Sequence, residues 1–243
     1  MSHDEPRSPT DLLPVLRTSV KRLLASAAAL TDDDVRAPSR LPGWSRAHVL
    51  THIARSADSR TRLLTAARTS MDLPQYSDEA QREREIEEGA GRLAAVLAED
   101  LETALHRFLM GADGHPEDTW DVPVRWLGAG LRPVRGTVSS MLREVEVHHT
   151  DLATGHRPTD WPPRFVEQEL ATTAEALRER TDAPAMVLLA DGGQVLRQVG
   201  GGSGPQVSGP AAELLGWLTG RADGTVLTVD PPGPLPSVPA WRS

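Results

Sequence analysis

Residues 141–151 read Met-Leu-Arg-Glu-Val-Glu-Val-His-His-Thr-Asp. Val138, Met141, Val145 and Leu152 recur around this stretch at helical spacing, which predicts a helix from about Thr137 to Thr154. Gly155 stands where a helix stop is expected. Four residues turn a helix by about 400°, so Glu144 and His148 lie on one face, one turn apart. Both border the apolar side. Glu146 is turned about 200° from Glu144, nearly opposite, and His149 about 100° from His148. A carboxylate and an imidazole facing a helical core without partners are costly. A metal ion would account for them, and helical bundles build such sites from facing helices. The same spacing is also common on solvated faces, so spacing alone does not decide.

The rest of the chain supplies the facing helices. Ser8-Pro9-Thr10-Asp11 reads as a helix start with Ser8 as the cap, and Leu12, Leu13, Leu16, Val20, Leu23, Leu24 and Ala27 follow at helical spacing. Thr31-Asp32-Asp33-Asp34 ends this helix or begins a short turn. Leu41-Pro42-Gly43-Trp44 is a tight loop, and Ser45 caps a second helix whose apolar side is Val49, Leu50, Ile53, Ala54 and Ala57. A third long helix is predicted from about Asp78 to Leu109, with Leu93, Val96, Leu97, Leu101, Leu105 and Phe108 as its stripe. Trp120 to Trp126 alternates enough for a short hairpin or an extended loop. The second helix offers His48 and His52 as further ligands, and spacing does not choose between them. Three protein ligands plus an open position is the pattern of catalytic zinc.

After Trp161 the pattern changes. A helix over about Pro163–Arg180 leads into a strand, turn and strand through Met186–Leu189, Asp191-Gly192-Gly193 and Val195–Val199. Residues 200–205 are Gly-rich, Pro210 to Thr219 reads as a helix, and Thr225–Val229 as a strand. The fold class is therefore α+β. A four-helix bundle over 1–160 is followed by a small α/β domain over 161–243.

Composition narrows the functions. Net charge is −8 with no basic block, so binding to nucleic acid through a basic face is not expected. No apolar run approaches the length of a membrane span, and the polar, acidic N-terminus does not read as a secretory signal, so a cytoplasmic protein is expected. There is no cysteine among the 243 residues. Disulfides, Cys-ligated zinc and a cysteine nucleophile are excluded, and any thiol chemistry needs a thiol from outside the protein.

Four segments carry a resemblance. They are Leu-Pro-Gly-Trp-Ser-Arg-Ala-His-Val-Leu-Thr-His-Ile-Ala-Arg-Ser-Ala-Asp at 41–58, Arg-Glu-Arg-Glu-Ile-Glu at 82–87, Arg-Glu-Val-Glu-Val-His at 143–148, and Leu-Leu-Gly-Trp-Leu-Thr-Gly-Arg at 214–221. In this order they resemble the mycothiol-dependent maleylpyruvate isomerases, which join a DinB-like metal-binding bundle to a C-terminal α/β domain. The resemblance implies a divalent metal, usually taken as zinc, held by His52, Glu144 and His148. It also implies mycothiol as thiol cosubstrate and a small dicarboxylate as substrate. Arg221, by its Leu-Thr-Gly-Arg setting, and Arg82, by its Arg-x-x-Glu-Ile-Glu setting, match arginines that receive substrate carboxylates. The C-terminal domain would thus contribute a carboxylate-binding residue. A monomer is expected. Met71-Asp72-Leu73-Pro74-Gln75-Tyr76-Ser77 matches the family pattern only loosely, and that leaves the exact substrate open.

The implied reaction is a cis–trans isomerisation. A thiolate adds to a cis double bond conjugated to a ketone, the new single bond rotates, and elimination of the same thiolate restores a trans double bond. A free thiol has pKa about 8.5 and is only a few per cent ionised at neutral pH. A metal would favour the thiolate, and arginines would fix the two carboxylates. The sequence also admits two rivals. A mycothiol S-transferase on the same fold would consume its thiol, and a non-enzymatic binding module would need neither metal nor thiol.

Overall fold

The computed structural model describes residues 9–200 and 204–241. The Ser8 cap and positions 201–203 of the Gly-rich stretch lie outside them. The chain divides into two compact units, Met1–Thr154 and Gly155–Ser243.

In the first unit a 3₁₀ turn at Pro9–Leu12 leads into α1 (Leu13–Ala28). The acidic run after it starts a short helix, α2 (Asp32–Arg36), rather than ending α1. Thr31 and Asp34 cap each other there, each side chain accepting the other's backbone N–H. The second helix of the sequence reading is α3 (Arg46–Thr69). Gly43, at φ +80°, makes the preceding loop possible.

The single long helix expected over 78–109 is two helices, α4 (Glu79–Ala90) and α5 (Ala94–Asp113). The break is held by one local bond and one distant one. Arg92 folds back so that its Nε donates to the Gly89 carbonyl at 2.9 Å, and the Ala94 N–H that opens α5 is taken by Asp32 Oδ1 at 2.8 Å. The expected stripe is correspondingly shorter. Leu97, Leu101, Leu105 and Phe108 are buried, whereas Leu93 (53% exposed) and Val96 (44%) face outward at the break.

A hairpin of β1 (Pro123–Trp126) and β2 (Gly130–Pro133) follows, and then α6 (Gly136–Asp151). Helices α1, α3, α5 and α6 form the bundle. α1 and α3 each pack against both α5 and α6, and α4 lies against α3. α6 is buried almost all round: Glu144, Glu146, His148, His149 and Asp151 are all in the interior. Its C-terminal end is pinned to the start of α3. Arg46 Nε donates to the Leu152 carbonyl at 2.7 Å, and the Arg40 N–H to the Asp151 carbonyl at 2.9 Å. These bonds satisfy carbonyls that a helix end otherwise leaves open.

The second unit has α7 (Pro163–Arg178), β3 (Met186–Leu189), β4 (Val195–Val199), β5 (Gln206–Ser208), α8 (Ala211–Leu218) and β6 (Thr228–Asp230). The strand order is β4-β3-β5-β6, with β3 and β5 parallel and the other pairs antiparallel. Two details differ from the sequence reading. Strand β5 was not foreseen, because three residues beside a Gly-rich run show no alternation to read. The strand expected at Thr225–Val229 starts only at Thr228; Leu227 is still in a turn, its N–H bonded to the Gly224 carbonyl. Among the described residues no helix is long and apolar enough to cross a membrane.

Candidate metal centre

The start of α3 separates the two histidines that spacing left equivalent. Ser45 Oγ accepts the His48 N–H at 3.4 Å, and His48 Nδ1 accepts the Ser45 N–H at 3.2 Å. His48 therefore stands in the place a Glu or Gln usually takes in a capping box. Its Nε2 points toward Glu87 at 3.4 Å. His52, one turn further into the helix, is buried and faces α6.

There His52 Nε2 lies 2.8 Å from Glu144 Oε2 and 3.1 Å from His148 Nε2, and His148 Nε2 lies 3.4 Å from Glu144 Oε2. Ligand atoms at about 2.0–2.1 Å from a tetrahedral zinc stand ~3.3 Å from one another. The three observed separations bracket that spacing. Two imidazole nitrogens and one carboxylate oxygen are also the donor set that suits zinc. The three residues thus fit a divalent ion by distance and by chemistry, all three being buried.

Groups behind these three side chains fix them. His148 Nδ1 lies 2.9 Å from Asp151 Oδ2, which orients the ring and presents Nε2 to the cluster. Burial pulls the His148 pKa down, but the bonds to Asp151 and Glu144 and their charges outweigh it, and the net shift is upward. Burial likewise would push the Glu144 carboxyl up. The charges of Arg60 and His52, and the bonds from both imidazoles, reverse this and hold it well below the usual carboxylate range. For His52 burial wins: its pKa falls to about 4 against the opposing pull of Glu144, with His148 and Arg82 adding to the fall. At neutral pH His52 is uncharged, as a ligand must be.

Family models match both parts of the chain. Residues 16–153 match the mycothiol maleylpyruvate isomerase N-terminal domain, and residues 160–240 the MDMPI C-terminal domain. The chain belongs to the mycothiol maleylpyruvate isomerase family. Two solved structures share its fold. One is a crystal structure of the mycothiol-dependent maleylpyruvate isomerase, with a TM-score of 0.89 and 23% identity over 99% of this chain and 100% of that one. The other is a crystal structure of a histidine-to-alanine mutant of that enzyme, also at 0.89, with 22% identity and the same coverage. No curated protein matches the chain in sequence.

The two arginines that the family pattern singles out sit in different settings. Arg82, on α4, is half-buried, with Nη2 3.1 Å from His52 Nδ1. Arg221 is in the second unit, just past α8. Its N–H bonds to the Gly216 carbonyl, its Nη1 donates to the Thr219 carbonyl at 2.6 Å, and its guanidinium lies 4.9 Å from the centre of the Trp241 ring.

Sequence reasoning missed Arg60, Ser56, Ser140, Asp151 and Tyr76. A signal for most of them was present. His52, Ser56 and Arg60 continue one face of α3 at intervals of four, and Ser140, Glu144 and His148 do the same on α6. Asp151 follows His148 by three. Tyr76 had no such signal. It comes from the irregular segment before α4 and is buried, and burial raises its hydroxyl pKa against the pull of Ser59, Arg60 and Arg82.

Proposed function

We propose that this chain is a metal-dependent cis–trans isomerase that converts maleylpyruvate to fumarylpyruvate with mycothiol as returning nucleophile. The observation that carries this reading is the buried His52–Glu144–His148 cluster, at ligand spacing, in a chain of this family. Zinc, which this donor set suits, is the ion we propose. Bound there, the metal would stabilise the thiolate form of an external thiol. His52 would offer that ion a neutral nitrogen, His148 would release its proton on binding it, and Glu144 would supply the one negative ligand. Asp151 keeps the His148 ring in orientation. Arg82, whose Nη2 lies beside His52, is proposed to receive a carboxylate near the thiol, and its planar fork suits that anion. Arg221 is proposed for the second carboxylate of the substrate.

The thiol's sulfur forms a bond to one carbon of the cis double bond, the electron pair moves toward the ketone, and rotation follows. Loss of the same thiolate restores the double bond as trans. Nothing is consumed. The test is turnover of maleylpyruvate by the metal-loaded protein with and without mycothiol, followed by product analysis. The expected result is fumarylpyruvate with the thiol recovered intact and turnover absent without it. A stable thioether product would instead make the protein an S-transferase, and turnover without thiol would refute the mechanism.

A further inference from the structure

Glu144 divides its two oxygens between two kinds of partner. Oε2 faces His52 and His148, at 2.8 and 3.4 Å. Oε1 is 2.7 Å from Arg60 Nη2. The guanidinium is itself fixed on every side: Nη2 and Nε donate to Ser140 Oγ at 2.7 and 3.1 Å, and Nη1 donates to the Ser56 carbonyl at 3.0 Å. Arg60 and Glu144 are both buried. The arrangement follows from two facing stripes of period four, His52–Ser56–Arg60 on α3 and Ser140–Glu144–His148 on α6. The helices run antiparallel at this contact, so the His52 end of one stripe meets His148 and the Arg60 end meets Ser140.

We infer that Arg60 is a positioning residue that holds Glu144 to a single-oxygen contact with the metal and thereby keeps a coordination position open for the thiol. This rests on the metal reading above. A carboxylate can give a metal one oxygen or two. With Oε1 clamped by a buried guanidinium, only Oε2 is available. Once freed, Oε1 would be drawn to the cation, because a buried carboxylate oxygen with no partner is costly. The ion would then gain a ligand from the protein at the position the thiol needs. A counter-charge that merely stabilised the fold would have no such effect on coordination.

Cobalt(II) reports coordination directly, since four-coordinate cobalt absorbs visible light far more strongly than five- or six-coordinate cobalt. The full chain loaded with cobalt alone should show the strong band. Arg60→Met should bind cobalt at the same stoichiometry with a band several-fold weaker. Arg60→Lys should stay nearer the parent, because an ammonium can still pair with Oε1. Ser140→Ala, which loosens the guanidinium and removes no charge, should fall between parent and Arg60→Met. A parental spectrum in folded, cobalt-loaded Arg60→Met overturns the inference. If Arg60→Met does not fold, a parental spectrum in Ser140→Ala overturns it instead. A parent chain that takes up no cobalt removes the metal reading and this inference together.

Discussion

Glu144 and Glu146 are two residues apart on one helix and do unrelated work. Sequence spacing put them on opposite faces, and that was right. What spacing could not supply is that the opposite face of α6 is buried too, because α1 covers it. Glu146 is 1% exposed, and its Oε1 lies 2.9 Å from Arg22 Nη2. Two substitutions separate the roles. Glu144→Gln is expected to remove most of the bound metal by weakening a charged ligand. Glu146→Gln should leave metal content unchanged and lower stability by about 1–3 kcal/mol, the scale of a charged hydrogen bond in a partly buried setting. Metal analysis and denaturant unfolding of both variants check this, and equal metal loss would end the distinction. The histidines divide in the same way. His52→Ala should strip the metal. His48→Ala should retain it and cost at most about 1 kcal/mol, because Ser45 still caps α3 and only the imidazole's bonds to the Ser45 N–H and Glu87 are lost. Spacing could not choose between these histidines, since a capping box with His in the third position carries no hydropathy signal.

Among the elements, the sequence reading found α1, α3, α6, α7 and the β3–β4 hairpin by periodicity and turn chemistry, and failed where tertiary contacts set the boundary. The gap between α4 and α5 is the clearest case. Their acidic and apolar residues continue across it without a phase break, and what parts them is the pairing of Ala94 with Asp32, 62 residues away. Gly89 fixes how closely α4 lies on α3. A Cβ there would come within 2.3 Å of Thr51 Cγ2 and 3.0 Å of its Oγ1. Gly89→Ala should therefore lower stability by about 1–3 kcal/mol through overpacking. Thr51→Ser in the same chain should restore part of the loss by removing the nearer atom. Thermal melts of the single and double variants test it, and simple additivity would show that the two positions do not meet. The segment after α5 carries a pH effect. Burial lowers the His115 pKa from its ordinary 6.5, against the pull of Thr119. The unfolded chain then binds a proton that the folded chain refuses, so stability falls as pH drops below about 6.5 toward the folded value. His115→Gln should make stability less steep over that window, as measured by urea unfolding from pH 7.5 down to 5.5. A slope unchanged from the parent would mean that His115 charges freely in the folded protein.

For the whole molecule, the question is whether the second unit takes part in the reaction or only accompanies the first. The first unit holds all three proposed ligands, and among the described residues the second contains no His, Asp and Glu cluster that could hold an ion. Its claim to a role rests on Arg221, which the sequence singled out by family pattern and not by physics. The local structure supplies a rival account. The Arg221 N–H and the Nη1 contact to the Thr219 carbonyl finish the C-terminal end of α8, and the side chain lies over Trp241. A positive group at that end of a helix contributes about 0.3–1 kcal/mol to stability. An aromatic face adds ~0.5–1 kcal/mol at an exposed site. Arg221→Ala separates the accounts because they move different readouts. As a carboxylate receptor, Arg221 would leave metal content and melting temperature nearly unchanged, while turnover falls by about a hundredfold, the scale of losing a positioning contact. Arg221→Lys would then recover only part of the rate, because a point charge cannot reproduce the two-pronged fork. As a helix terminus alone, Arg221→Ala would lower the melting temperature by a few degrees for about 1 kcal/mol lost and leave turnover per folded molecule intact. The second pattern would confine the chemistry to the first unit and leave Arg82 as the one arginine proposed here to receive a carboxylate.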